Sequence, residues 1–239
     1  KGIKLMLWTL CSTLDKQLDS ALAQFNRWGV ESIMTDFMDR DDQPMVNFYH
    51  RIASACADHH ISIMFHGAYA PKGLNRTWPN VINFEGVRGM EYMKWHPDDR
   101  VQEHALSIPF IRMMAGPMDY TPGAFRNMTK GNARPSNSLP QSLGTRSQQM
   151  AMYIVYEAPL QMLADNPTIY AKEQECTSFI ATVPTSFNET KALDGQLGEY
   201  LVMARRKNDT WFVGGMTNWT GRNITVDLSF LPAGEYTAE

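Results

Sequence analysis

Short apolar runs that end in a polar residue recur through the first half of this chain, with amphipathic stretches between them. Ile3–Trp8, Ser32–Phe37, Ile61–His66, Val81–Glu85 and Leu106–Ile111 have the length and composition of strands. Leu14, Leu18, Leu22, Phe25 and Trp28 recur at helical spacing and stop at Gly29, a residue suited to the left-handed turn that closes a helix. Met45, Phe48, Tyr49, Ile52, Cys56 and Ala57 repeat that pattern before Ile61. Strand, helix and strand in this order imply parallel pairing, because parallel neighbours need a long crossover between them. Nearly continuous apolar strands predict a sheet covered on both faces.

The rhythm stops at residues 116–146, which open with Gly116-Pro117-Met118-Asp119-Tyr120-Thr121-Pro122-Gly123 and continue rich in Asn, Ser, Pro and Gly. A loop this long in a compact domain is commonly functional. Ser147 to Asp165 reads as one helix, closed by Asn166-Pro167, and Ala171–Thr182 as another. After Pro184 the period changes to two. Tyr200–Arg206, Trp211–Thr217 and Ile224–Leu228 read as antiparallel strands separated by Lys207-Asn208-Asp209 and Trp219–Asn223.

Composition removes several functional classes. A net charge of −3 argues against nucleic acid as partner, and 20% charged residues with 44% hydrophobic ones argue against disorder. The apolar runs are too short and too interrupted to cross a membrane. Cys11, Cys56 and Cys176 are too few and too dispersed for a disulfide framework or a zinc site. Lys1 opens directly into an apolar run and the other end stops just past Gly234, so both termini read as cut.

Several of the expected strands end in groups able to do chemistry: Asp36, His66 and Glu85, with Glu91 shortly beyond. In α/β barrels the loops at the carboxyl ends of the strands converge on one mouth, so acids on separate strands can face each other there. Strand-end acids also cap helices or pair with arginines. Asp36 to Gln43 holds four carboxylates, yet the Gly and terminal Glu of an EF-hand loop are missing. Asp39, Asp41 and Asp42 suit the start of the next helix, whose dipole favours negative charge. Asp36, inside the apolar run, is expected to be the buried one. Met113-Met114 reads as core filler. Arg88 and Asp119 read as residues that brace carboxylates or hold loops, outside the group contacting substrate.

These residues stand in longer motifs. Thr35-Asp36-Phe37-Met38-Asp39-Arg40-Asp41-Asp42-Gln43, Phe65-His66-Gly67-Ala68-Tyr69, Pro71-Lys72-Gly73-Leu74 and Arg76-Thr77-Trp78-Pro79-Asn80 resemble glycoside hydrolase family 97. So do Glu85-Gly86-Val87-Arg88-Gly89-Met90-Glu91-Tyr92, Gly116 to Gly123, and Asp194-Gly195-Gln196-Leu197-Gly198-Glu199-Tyr200. The likeness runs in order along essentially the whole chain. It implies an α/β fold: a partial (β/α)8 TIM barrel with its first strands missing, residues 1–194, followed by an incomplete antiparallel β-sandwich domain, residues 195–239. On that template the strand after Ser32 is the fourth of the barrel, that at Val81 the sixth, and the final one falls near Thr190–Leu193. The parent protein would carry a further N-terminal β-sandwich domain. A periplasmic location and Ca2+ near the active site are also implied.

The family has two mechanistic branches. The inverting α-glucosidases carry a Glu directly after the strand-five His and lack the strand-four Asp. This chain has Gly67 and Asp36 at those positions and so resembles the retaining branch, known for α-galactosidases. By that resemblance Asp36 is the nucleophile, Glu91 the general acid/base and Glu85 a calcium ligand. His66 is expected to hydrogen-bond a sugar hydroxyl, and Trp8 to offer a platform to a sugar face. A retaining pair is expected to sit about 5–5.5 Å apart, with one carboxyl protonated and the other charged. The expected substrate is a terminal α-galactoside or a related glycoside or oligosaccharide. The alternatives are an inverting α-glucosidase and a noncatalytic carbohydrate-binding remnant.

Overall fold

A computed structural model describes residues 2–239, leaving Lys1 outside the described part. The first four expected strands form one parallel sheet, in which each strand pairs with the next in chain order. They are β1 (Met6–Leu10), β2 (Ser32–Asp36), β3 (Ser62–Phe65) and β4 (Val81–Phe84). Helices α1 (Cys11–Asp15) and α2 (Leu18–Trp28) connect β1 to β2, and α3 (Gln43–Asp58) connects β2 to β3. A short helix, α4 (Leu74–Thr77), precedes β4.

The local signals act as their chemistry dictates. Gly29 closes α2 at φ +73, a backbone state that costs a residue without a Cβ little. Asp42 caps α3, its side chain accepting from the Met45 amide, with Pro44 in the first turn. Leu22, Ile33, Tyr49, Ile52, Ile63 and Phe65 interlock as a core between the helices and the sheet. Burial of such side chains contributes roughly 1.5–3 kcal/mol each.

Beyond Phe84 the structure departs from several expectations. Leu106–Ile111 is not a strand. Residues Val101–Ser107 form α5, followed by 3-10 turns at Ile108–Phe110 and Arg112–Ala115. Gln102, Ala105 and Leu106 are buried together, the spacing of one helix face, and a short apolar run alone does not separate strand from helix. The next helix, α6 (Arg146–Val155), ends ten residues before Asp165, with Tyr156 already extended. Pro159 lacks an amide and disfavours helix at the residue before it, so the chain leaves the helix early. Asn166-Pro167 is an opening signal: the Asn166 side chain accepts from the Ile169 amide and starts α7 (Pro167–Lys172). Glu173, outside helical geometry, separates it from α8 (Gln174–Thr182).

Residues 116–146 are a long loop, as expected, tied by one parallel pairing of β5 (Asn127–Met128) with β6 (Ser142–Leu143). The chain then forms an antiparallel sheet of β7 (Glu189–Gln196), β8 (Tyr200–Lys207) and β9 (Thr210–Thr217). Thr190–Leu193, expected as the last strand of a barrel, lies inside β7 and pairs with β8. Exposed and half-buried residues alternate along its first half, the mark of a strand with one wet face, unlike the buried Ile63, Met64 and Phe65 of β3. Ile224–Leu228 keeps the two-residue alternation but pairs with no strand among the described residues. Of the two adjacent methionines, Met113 packs on a second core cluster, whereas Met114 is exposed. No helix among the described residues is long and apolar enough to cross a membrane.

Candidate active site

Parallel register brings the candidate groups to one edge of the sheet. Leu10 pairs with Asp36, and the ladder continues past the strand ends as the His66 amide donates to Thr35 O (2.9 Å) and the Glu85 amide to Phe65 O (2.8 Å). Asp36, His66 and Glu85 are therefore lateral neighbours on consecutive strands. Trp8 lies within β1 rather than at its end, opposite Met34. On adjacent strands it points to the same face as Asp36, and its Nε1–H donates to Asp36 Oδ2 at 2.9 Å. The Phe37 amide donates to Asp36 Oδ1 at 2.5 Å. Phe37 adopts this position with φ +60, a strained state for a side chain of its size, and its ring meets Trp8 edge-on. Asp36 is half-buried rather than buried.

His66 is the hub. Its Nδ1 lies 3.3 Å from Asp36 Oδ1 and 3.5 Å from Glu85 Oε2, and its Nε2 lies 3.7 Å from Asp119 Oδ2. Glu91, on a 3-10 turn at Met90–Lys94, joins from outside the sheet. One ligand atom each of His66, Glu85 and Glu91 falls within 4.8 Å of the others, and Lys94 Nζ stands 3.7 Å from Glu91 Oε2. Asp36, Glu85 and Glu91 thus all converge on one imidazole, although they come from two strands and a turn.

Burial and mutual charge set the titration here. Burial pushes the Glu85 carboxyl up to about 7, against the pull of His66 and of the Gly67 amide that donates to Oε2 (2.7 Å); Glu91 and Asp119 add to the rise. Burial pulls the His66 ring down, but the carboxylates of Glu85, Asp119, Asp36 and Glu91 together hold it above its ordinary value. Burial also raises Asp119, opposed by His66 and the Thr121 hydroxyl.

Gly67 gives this cluster its space. Its φ is +52, and a Cβ there would lie 2.9 Å from Asp39 Oδ1 and 3.0 Å from Asp36 Oδ1. A side chain at position 67 and the Asp36 carboxylate in this rotamer are sterically incompatible. The cluster opens into a cleft of about 580 Å³ lined by Asp39, Arg40, Tyr69, Glu85, Arg88 and Tyr92 among others.

One buried residue beside the site carries no signal in the sequence. Arg112, buried and without a carboxylate partner, donates to the carbonyls of Phe84 (3.2 Å), Glu85 (2.9 Å), Gly86 (2.9 Å), Gly116 (3.0 Å) and Pro117 (3.1 Å). It clamps the end of β4 to the loop that carries Asp119. Its sequence neighbourhood gives no warning, since it stands between Ile111 and Met113. Asp119, expected to brace carboxylates or hold a loop, is nearly inaccessible and faces the His66 ring. Arg88 holds a loop as expected, donating to His96 O (3.1 Å) and facing Asp98 (3.6 Å).

Acids gathered on an open cleft at the carboxyl ends of parallel strands, with exposed aromatic rings beside them, are a layout shared by glycoside-cleaving α/β enzymes. The comparisons are specific. Residues 1–87 match the family described as Glycoside hydrolase 97, and residues 186–239 match Glycosyl-hydrolase 97 C-terminal, oligomerisation. All 239 residues align with a retaining alpha-galactosidase of Bacteroides thetaiotaomicron at 47% identity, and 95% of the chain with a probable retaining alpha-galactosidase of Streptomyces bingchenggensis at 33%. A solved glycoside hydrolase family 97 enzyme from a Pseudoalteromonas species, in complex with panose, superposes with a TM-score of 0.85 at 31% identity, over 98% of this chain and 39% of that one. The chain belongs to glycoside hydrolase family 97. It spans about a third of the curated relatives, 36% and 34% of their lengths.

Proposed function

We propose that this chain is the catalytic part of a retaining α-galactosidase, or of a close relative acting on a similar terminal α-glycoside, with Asp36 as nucleophile and Glu91 as acid/base. The observation that carries the reading is the setting of Asp36: a carboxylate at the end of β2, gripped by Trp8 and Phe37 N–H groups, with Gly67 leaving the space beside it empty. In the reaction Asp36 attacks the anomeric carbon while Glu91 gives its proton to the leaving glycosidic oxygen. Glu91 then takes a proton from water, which releases the sugar with its configuration kept. His66, facing both Asp36 and Glu85, would orient the nucleophile and meet a sugar hydroxyl, and the exposed Trp8 ring would take an apolar sugar face.

The inverting alternative needs a carboxylate at position 67, and the crowding around a Cβ there speaks against it. The parallel sheet would be part of a (β/α)8 barrel completed by other segments of a longer, periplasmic protein with an N-terminal β-sandwich domain. The division into residues 1–194 and 195–239 belongs with it, with β7 crossing that boundary. Calcium fits the oxygen donors of Glu85, which would hold it close to Glu91, with the nitrogen of His66 a poorer donor for so hard an ion. When bound, it would supply positive charge that keeps the Glu85 carboxylate ionised.

The test is Asp36→Ala in the full-length protein, assayed on nitrophenyl α-galactoside with the product anomer followed by NMR. Turnover is expected to vanish, and azide to restore part of it with the opposite anomer as product. Retention of more than a few per cent of activity would exclude Asp36 as nucleophile.

A further inference from the structure

Asp119 stands near the start of the long loop at residues 116–146, and the loop is pinned at both sides of it. Its own amide donates to Phe84 O at 3.0 Å, and the next carbonyl, Tyr120 O, accepts from the Met90 amide at 2.9 Å. The same short segment therefore touches the strand that leads to Glu85 and the turn that carries Glu91. The Asp119 side chain is 2% exposed. Its Oδ1 accepts from the Thr121 hydroxyl at 3.0 Å, and Thr121 sits at φ +57, an uncommon state for a β-branched residue. Its Oδ2 is buried with no hydrogen-bond partner, and His66 Nε2 stands 3.7 Å away. A buried polar oxygen left in this way calls for an explanation.

The His66 ring supplies one. A histidine ring can turn over and exchange the places of its two nitrogens unless each edge is held. Here Nδ1 faces Asp36 and Glu85, and Nε2 lies 3.7 Å from Asp119 Oδ2. We propose that Asp119 is a positioning residue: its buried Oδ2 takes the Nε2–H of His66, fixes the ring, and thereby aims the Nδ1 edge at Asp36 and Glu85. Asp119 touches no substrate, since it is closed off from the cleft. It acts on the reaction only through the ring, in the way that partners of a metal- or substrate-facing histidine fix its tautomer and orientation. The proposal rests on the reading of Asp36 as nucleophile for its kinetic consequence, but not for the pairing itself.

The experiment separates the two. In the full-length protein labelled with 15N-histidine, the His66 signals are assigned by their loss in His66→Gln. The expected spectrum shows a proton on Nε2 in the wild type and a changed or absent signal in Asp119→Asn. In parallel, Asp119→Asn should lower kcat by about tenfold to a hundredfold with KM within about threefold and the melting temperature nearly unchanged. A wild-type ring without a proton on Nε2 would overturn the pairing, and this readout stands even where the variant fails to fold. An unchanged kcat, or a kcat lost in step with melting temperature while the His66 signals stay put, would overturn the positioning role. Failure of azide rescue in Asp36→Ala, with the Nε2 signal as expected, would remove the nucleophile and leave the pairing intact.

Discussion

Trp8 and Asp36 are joined across neighbouring strands by a single hydrogen bond, from the indole N–H to Oδ2 at 2.9 Å. The bond ties an aromatic ring that is half in solvent to the acid assigned as nucleophile, so ring and carboxylate cannot reorient separately. Trp8→Phe keeps a ring and removes the donor. Hydrogen bonds to charged groups contribute about 1.5–3 kcal/mol, and this one lies toward the exposed end of that range. A loss of about tenfold in kcat/KM on α-galactosides is expected. Steady-state kinetics with unaltered values would dissociate the indole from the nucleophile.

Gly67→Ala adds one methyl group where a Cβ meets Asp39 and Asp36 oxygens at 2.9 and 3.0 Å, on a backbone at φ +52. The carboxylate must move, and misplacement by about an ångström costs about a hundredfold in rate. Activity of that variant should fall by this order while the protein still folds. A variant with near-normal kcat would mean that Asp36 works from another rotamer.

Glu85 makes a prediction about stability. Its carboxyl is pushed up to about 7 by burial, so in the calcium-free protein ionising it opposes folding. That cost is absent below the carboxyl's ordinary range, grows as pH rises toward 7, and is fully present above. Glu85→Gln can still accept from the Gly67 amide. It should therefore raise the melting temperature at pH 8, with the gain fading toward pH 4. A gain independent of pH, in thermal scans with chelator, would contradict this origin.

The proposed calcium site would link the ion to the same proton. If Glu85 holds calcium as proposed, it must be ionised to do so, and affinity should fall by about tenfold from pH 8 to pH 6, with proton release on binding. Calorimetric titration in two buffers of different ionisation heat reads both quantities. Affinity unchanged across that range would place the ion away from Glu85.

Arg112 is expected to matter for stability. Lysine keeps the charge but carries fewer donors in a different geometry, and would leave some of the five carbonyls between Phe84 and Pro117 unpaired. Arg112→Lys should cost about 2–4 kcal/mol in denaturant unfolding. A change well below 1 kcal/mol would show that water replaces the clamp.

The parallel sheet was legible because its strands are apolar runs, largely buried in β3 and β4 and half-exposed in β1, that stand out from the amphipathic helices between them. Asp36, His66 and Glu85 were legible for the same reason: each interrupts or ends such a run. Past Phe84 the local signal fails. The run at Leu106 fits a helix face as well as a strand, and only the packing of Ala105 and Leu106 beneath the long loop decides for the helix. Residues 190–193 read as a strand either way, and their partner was decided by β8 rather than by their own composition.

Composition and periodicity thus determined which segments are strands in the parallel sheet and which acids stand at their ends, since burial leaves a repeating mark in the chain itself. The tertiary structure alone decided that Asp119 would back the His66 ring, that Arg112 would bind the β4 edge to its loop, and that Gly67 would be the space beside Asp36. Those relations join residues distant in sequence through single atoms, and no periodic pattern records which atom a side chain will meet once the chain has closed on itself.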